Sequence, residues 1–459
     1  MKRADATAAE PYVREIPYAE PVTLAARLTG QRNMTLLDSS MRHPRLGRYS
    51  YLSCDPVASL IVRSGVTIWN GKPRSAPALS ALDRILAENR TVHLKGLPPF
   101  QGGFMGYIGY EFGRVLEPRS RVPKWPGLCP ELMLHFYDVV AAFDHKRQRA
   151  FIISTGLMGR DAEGRADRLE AMLSAEPPAP GSGVIKGWRS NFTRARFEAA
   201  VKRTIDYILA GDVFQANISQ RFSAPLPDKF DAFAFYCRLR ARNPAPFSAF
   251  FDYGALAAAS SSPERLVSFD GRFTEARPIK GTRRRDTDPR LDAALTTELL
   301  ASHKDRAENI MIVDLLRNDF SRVCDPGSVT VPVLCGLESY ASVHHLTSVV
   351  KGRLSENRTR GDLLGACFPG GSVTGAPKVR AMEVIGEIER CPRGIYCGSI
   401  GFIGANGPLD FNIAIRSVMF ANGVASFQGG GGITARSEPA EEYDETLAKV
   451  EPIREAFTR

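Results

Sequence analysis

The sequence predicts an α+β protein built on mixed β-sheet, and three observations carry that expectation. Upstream, short apolar or aromatic runs alternate with Gly, Pro and Asp, as in "TLLDSS", "GRYSYLSCDP" and "GGFMGYIGYEFGR", the pattern of strands and turns. Strand-like and helix-like segments then alternate irregularly rather than in even βαβ units, which argues against a doubly wound fold or a barrel. No repeat of fixed period runs through the chain.

A polar helix-like segment, "GRDAEGRADRLEAML", runs into "SAEPPAPGSG" (174–183), where prolines, glycines and small residues make the clearest break in composition. We place a β-rich N-terminal lobe at 1–176, a linker at 177–190 and a second domain at 191–459. Phe197, Val201, Ile205 and Ile208 recur at helical spacing from Thr193 to Ala210, and Gly211-Asp212 stops that helix. "VFQANISQRF" reads as a strand, and "ALAAASSSPERLVSF" and "RFTEARPIKGT" read as paired strands. "SHKDRAENIMIVDLLRND" reads as a helix with Ser302 as N-cap and Asp305 three residues on. A last helix covers "EPAEEYDETLAKVEPIREAF".

Composition limits the function classes. The net charge of +10 comes from scattered residues, with Arg283, Arg284 and Arg285 the longest compact run, so an anionic small substrate explains it as well as nucleic acid does. No interleaving of aromatic and basic residues resembles a nucleic-acid module, and nucleic acid is set aside. Eight cysteines without a C-x-x-C pair suggest reduced thiols and a cytoplasmic setting. The N-terminal segment lacks the apolar core of a signal peptide, and no run approaches the ~18 apolar residues of a membrane span.

Several constellations could do chemistry. Lys280 lies in "ARPIKGTRRR"; an ordinary lysine is neutral in only about one molecule in 2,500 at pH 7, and the cations of Arg277 and Arg283 would disfavour its charged form. A solvated lysine is the alternative. Glu442, Glu445 and Lys449 share one face of the last helix at i, i+3 and i+7, and Glu308 sits on a helix at 305–317. Two helices could each offer a carboxylate to Mg²⁺, which takes one or two of them beside water and an anionic substrate. By spacing alone an exposed ion pair between Glu445 and Lys449 is the favoured alternative. "GGSVTGAPK" fails the P-loop pattern because Ala376 and Pro377 intervene before Lys378, yet the Ser372 and Thr374 hydroxyls and the amides around Gly375 suit a carboxylate. "QGGGGIT" is a second amide-rich turn, and His344 and His345 lack metal-ligand spacing.

In order over residues 195–455, "GDVFQANISQRF", "SSSPERL", "PIKGT", "DRAENIMIVDLLRND", "VHHLTS", "GGSVTGAPKVRAMEVIGEIE", "RGIYCGSIGF", "FNIAIRS" and "GGGGITARSEPAEEYDET" resemble the chorismate-utilising enzymes. "LLDSS" and "GGFMGYIGYE" extend the likeness upstream to about residue 35. The resemblance implies a two-lobed fold with largely antiparallel sheets packed face to face and helices outside. Gln215 stands where family members that add water carry a lysine, which speaks against hydrolytic addition. "PIKGT" is the form of the branch that aminates chorismate at C4, whereas anthranilate synthases have "PIAGT".

The same resemblance implies a chemistry in which Lys280 attacks C2 of chorismate while the C4 hydroxyl leaves, ammonia adds at C4, and Lys280 departs to give 4-amino-4-deoxychorismate. Glu264 matches the general acid, and Glu308 and Glu445, with Glu442 nearby, match the Mg²⁺ glutamates. Ser372, Gly375, Tyr396, Arg416, Gly432 and Lys449 match substrate-holding positions. His345 aligns with a histidine linked to pyruvate elimination in anthranilate synthases. No glutaminase domain is evident, which implies a separate glutamine amidotransferase subunit as the ammonia source. "LLDSS" is similar to the segment that binds tryptophan in feedback-inhibited relatives, with aspartate where they carry glutamate.

Overall fold

The computed structural model describes residues 9–41, 46–179, 181, 183–340 and 343–458. Among them the chain forms two sheets of twelve strands each. One runs from Tyr12–Ile16 at one edge through Met34–Asp38, Phe247–Asp252, Leu256–Ser262, Ser417–Ala421 and Val424–Ile433 to Gln215–Pro225. The other runs from Ile279–Arg284 and Val343–Arg353 through Arg265–Phe269, Leu409–Asn412 and Ser399–Gly404 to Gly103–Ile108 and beyond. Both sheets draw strands from either side of residues 177–190: Met34–Asp38 pairs antiparallel with Phe247–Asp252, and Gly103–Ile108 with Ser399–Gly404. The compositional break at 174–183, of which residues 180 and 182 lie outside the described ones, therefore separates two stretches of chain that weave into common sheets.

The sheets pack face to face with helices outside. Tyr51 of one sheet meets Phe402 of the other at 5.3 Å between ring centroids, and Tyr107 stacks on Phe251 at 5.5 Å. The outer face of one sheet is covered by helices Ala78–Glu88, His303–Ser321 and Arg360–Cys367, and that of the other by Ala162–Ser174, Ala232–Arg242 and Pro439–Phe457. Central strands are thus buried on both faces, which is why "GFMGYI" carries no charged or polar-alternating face and "LMLHFY" is apolar or aromatic apart from His135. No helix among the described residues is long and apolar enough to cross a membrane, and all eight cysteines are free thiols.

Local signals act where expected. Ser302 caps the His303–Ser321 helix, its hydroxyl accepting from the Asp305 N–H at 3.2 Å, and Thr193 caps the Arg194–Leu209 helix. One pairing differs from expectation. "ERLVSF" does pair with "RFTEAR", but "ALAAASSS" belongs to the opposite sheet, pairing Phe247–Asp252 and Ser417–Ala421. The chain changes sheets at Pro263-Glu264, where proline cannot donate to a continued ladder.

Candidate active site

A second change of sheets runs beside the first. Between Leu409–Asn412 and Ser417–Ala421 the chain crosses back, with the Ile413 N–H donating to the Glu264 carbonyl at 2.9 Å and the Ser261 N–H to the Arg416 carbonyl at 3.1 Å. These two crossings bring Glu264 and Arg416 to one end of the sheet pair, with Arg416 held at φ +52°, a conformation non-glycine residues rarely adopt. A cavity of about 590 Å³ opens at this end. It is lined by Glu264, Lys280, Glu308, His345, Ser372, Tyr396, Arg416, Gly432, Glu442, Glu445 and Lys449, so eleven of the twelve residues singled out in the sequence converge.

Gly375 is the exception and corrects the expectation of a carboxylate-binding amide there. It pairs with Ala216 outside the cavity lining at φ +142°, and a β-carbon on it would lie 2.1 Å from the Gln215 carbonyl oxygen. The glycine serves close packing.

Glu264, Lys280 and Ser372 form one wall. The Ser372 hydroxyl donates to Glu264 Oε1 at 2.7 Å, and Lys280 Nζ donates to the Ser372 carbonyl at 3.4 Å while lying 3.8 Å from Glu308 Oε2. Burial pushes the Glu264 carboxyl up to about 7, with the Ser372 hydrogen bond and the Lys280 charge acting against it. Both arginines flanking Lys280 are paired with acids: Arg277 with Glu338, and Arg283 with Glu298 at 2.8 Å and Asp305 at 3.6 Å. Among the described residues the carboxylate within ion-pair distance of the amine is that of Glu308.

Opposite stand the acids of the Pro439–Phe457 helix. Lys449 Nζ bridges Glu445 Oε1 at 2.5 Å and the Gly430 carbonyl at 2.9 Å, and Glu442 accepts from the Ser437 hydroxyl at 2.6 Å. A β-carbon on Gly431 would lie 2.8 Å from Glu442 Oε2 and 3.6 Å from Glu445 Oε1, so both carboxylates close on the same side-chain-free strand. Burial raises the Glu442 carboxyl, and the Glu445 charge raises it further. Burial alone would raise Glu445 too, but Lys449, Lys304 and Lys280 outweigh it and hold that group below its ordinary range. Among the described residues no three acid, imidazole or thiol groups converge into a closed ligand set. Glu442 and Glu445 stand close together, and a cation there would have to take its remaining ligands from water and substrate oxygens, a habit of Mg²⁺ rather than of zinc.

His345 and Arg416 complete the lining. The imidazole Nδ1 meets the Thr282 hydroxyl at 2.8 Å, and burial with the nearby Arg416 charge lowers it to about 4, so the ring is neutral near neutral pH. Arg416 has no carboxylate within ion-pair distance among the described residues; its hydrogen-bond partner there is Asn243 Oδ1 at 3.3 Å, and burial depresses its guanidinium. Sequence reasoning missed Asn217, Thr282 and Lys304, which also line the cavity. Asn217 shares a strand face with Gln215, and both are buried with unpartnered amide atoms. The period-2 spacing was the available signal.

A second cavity, of about 560 Å³, lies around "LLDSS". Its Asp38 carboxylate accepts from Arg240 Nε and from the Tyr236 hydroxyl, each at 2.8 Å.

Comparison with known proteins gives the family. A family model described as chorismate binding enzyme matches residues 36–455. The chain is 40% identical to anthranilate synthase component 1 of Streptomyces coelicolor, over 96% of this chain and 86% of that protein. It is 37% identical to aminodeoxychorismate synthase component 1 of Escherichia coli K12, over 91% and 92%. Among solved structures, anthranilate synthase component I of Streptococcus pneumoniae superposes with a TM-score of 0.80 at 33% identity, covering 90% of this chain and 93% of that one. The isochorismate synthase MenF of Escherichia coli, at 16% identity and a TM-score of 0.76, covers 98% and 96% and shares the fold. The chain belongs to the chorismate-binding enzyme family.

Proposed function

We propose that this chain is the large subunit of an aminodeoxychorismate synthase, converting chorismate and ammonia to 4-amino-4-deoxychorismate and water. The observation that carries the reading is the Lys280 amine in the cavity, next to a glutamate whose carboxyl is held near 7.

Lys280 attacks C2 as the neutral amine; the two ring double bonds shift toward C4, and the C4–O bond breaks as Glu264 protonates the departing hydroxyl. Ammonia then forms the C4–N bond, the double bonds shift back, the C2–N bond to Lys280 breaks, and Glu264 recovers the surplus proton. Glu264 suits both halves of this cycle because its carboxyl exchanges a proton near neutral pH. Arg416, Tyr396, Ser372, Gly432 and Lys449 would hold the substrate carboxylates, for which a guanidinium fork is well shaped. Glu308, Glu445 and Glu442 would hold Mg²⁺, which when bound neutralises the ring carboxylate. His345, neutral and tied to Thr282, orients rather than protonates in this scheme. The Gln215 amide has no basic nitrogen to deprotonate water, which favours amination over hydration.

Relatives named component 1 imply a second component, and a separate glutamine amidotransferase subunit is the ammonia source that this chemistry requires. The free thiols suit a cytoplasmic setting. Incubation with chorismate, Mg²⁺ and an ammonium salt is expected to yield aminodeoxychorismate, read as 4-aminobenzoate after a lyase is added. The second reading is an anthranilate synthase large subunit, favoured by the 40% identity to the Streptomyces coelicolor protein. Anthranilate fluorescence as the main signal would establish that reading instead.

A further inference from the structure

Behind the cavity wall lies an ion pair that meets, among the groups placed on substrate, Tyr396. Glu389 ends the Lys378–Glu389 helix and Arg393 follows in the next loop; the two are 3% and 2% exposed. Their fork is bidentate, with Arg393 Nη2 donating to Glu389 Oε1 at 2.7 Å and Nε to Oε2 at 3.0 Å. The same guanidinium donates to the Val373 carbonyl at 3.0 Å and to the Asn217 carbonyl at 2.6 Å, and lies 4.5 Å from the Tyr110 ring centroid and 5.7 Å from that of Tyr396. Glu389 in turn accepts from the Ser219 N–H and hydroxyl at 2.7 and 2.8 Å, and the Gln428 amide donates to the Arg393 carbonyl at 3.0 Å.

Asn217, Val373, Tyr396 and Gln428 all line the cavity and come from different segments of the chain. Val373 directly follows Ser372, whose hydroxyl bonds Glu264 and whose carbonyl accepts from Lys280. One planar group therefore anchors, from behind, the turn against which both proposed reacting groups rest. A buried ion pair is a poor source of stability compared with apolar packing, so a geometric role accounts for it better. Lysine would place a single point charge where arginine offers a rigid fork with donors to three separate acceptors.

We infer that Arg393, held by Glu389, is a positioning residue that fixes the Ser372–Val373 turn and thereby the placement of Glu264 relative to Lys280. This rests on the function proposed above, in which those two groups react. In Arg393→Lys, kcat for chorismate consumption is expected to fall about tenfold to a hundredfold while KM changes less than about threefold, because misplacement of reacting groups by about 1 Å costs turnover more than binding. Glu264 faces Ser372, Lys280, the Ile279 backbone and the Cys397 thiol. A loosened turn weakens the Ser372 hydrogen bond that favours the carboxylate, so the high-pH limb of the rate profile should move to higher pH.

The test measures kcat, KM, the pH profile and the folded fraction of Arg393→Lys. Should that variant not fold, Glu389→Gln, which keeps one neutral acceptor oxygen and sets an amide N–H against Arg393 Nε, is carried through the same measurements. A selective kcat loss with the shifted limb in folded protein supports the inference. Wild-type kcat and pH profile, or a loss matching the unfolded fraction, overturns it. Following chorismate consumption keeps the kcat and KM readout independent of which aminated product forms. Lys280→Ala assayed alongside judges the covalent reading separately.

Discussion

The cavity around Lys280 and the cavity around Asp38 have similar volumes, about 590 and 560 Å³, and differ in how completely their charges are paired. In the Asp38 cavity, ionised groups are matched within the protein. Asp38 is held by Arg240 and Tyr236, Arg48 forks onto Asp144 at 2.6 and 3.0 Å, and Arg265 forks onto Asp410 at 2.8 and 2.9 Å. In the Lys280 cavity Lys449 closes on Glu445 at 2.5 Å, while the remaining charges are matched loosely or not at all. Arg416 has no acid partner among the described residues, Lys280 and Glu308 stand at 3.8 Å, and Glu264 is buried with a neutral hydroxyl as its close hydrogen-bond donor. Tightly matched charge maintains the shape of a protein; charge left short of a partner in a cavity is free to act on an anionic ligand.

Four measurements put this contrast to the test. The largest effect is expected from Lys280→Ala, which should lower aminodeoxychorismate formation by about 10⁴-fold, with anthranilate appearing in its place, while leaving thermal stability near wild type. Mass spectrometry of the products reads the first part, and thermal unfolding the second. Arg240→Met should behave inversely. It strands the fully buried Asp38 carboxylate and should cost about 3–5 kcal/mol of stability in urea unfolding, with KM for chorismate unchanged in the folded fraction.

The third concerns pH. The Glu264 carboxyl is raised to about 7 in the folded protein, so its contribution to stability is fully present below about 4.5 and is lost as pH rises through about 7. Glu264→Gln should therefore be more stable than wild type at pH 8, by up to about 3 kcal/mol, and should lack that slope in unfolding measured from pH 4.5 to 8. His345, lowered to about 4, has the opposite sign: its contribution is present above about 6.5 and is lost as pH falls toward about 4. Glu264→Gln should thus expose a steeper loss of stability on the acid side. The smallest effect is assigned to Glu445→Gln, which removes one of few hard-oxygen donors and should raise the Mg²⁺ concentration for half-maximal activity by about tenfold. An unchanged Mg²⁺ titration would move the metal away from the Pro439–Phe457 helix.

Features that depend on near neighbours were legible in the chain alone. Ser302 and Asp305 mark a helix start because capping spans three residues, and Glu442, Glu445 and Lys449 share a face because a helix repeats every 3.6 residues. Resemblance in ordered motifs selected Lys280, Glu264 and Arg416 for one site. Long-range packing settled the remainder. It sent "ALAAASSS" to the sheet opposite "ERLVSF", paired Arg277 and Arg283 with acids, withdrew Gly375 from the cavity and brought Asn217 and Lys304 to it. Each of these depends on which distant strands lie side by side. The raised Glu264 carboxyl does too, because desolvation belongs to the whole packed surroundings and is encoded in no short stretch of chain.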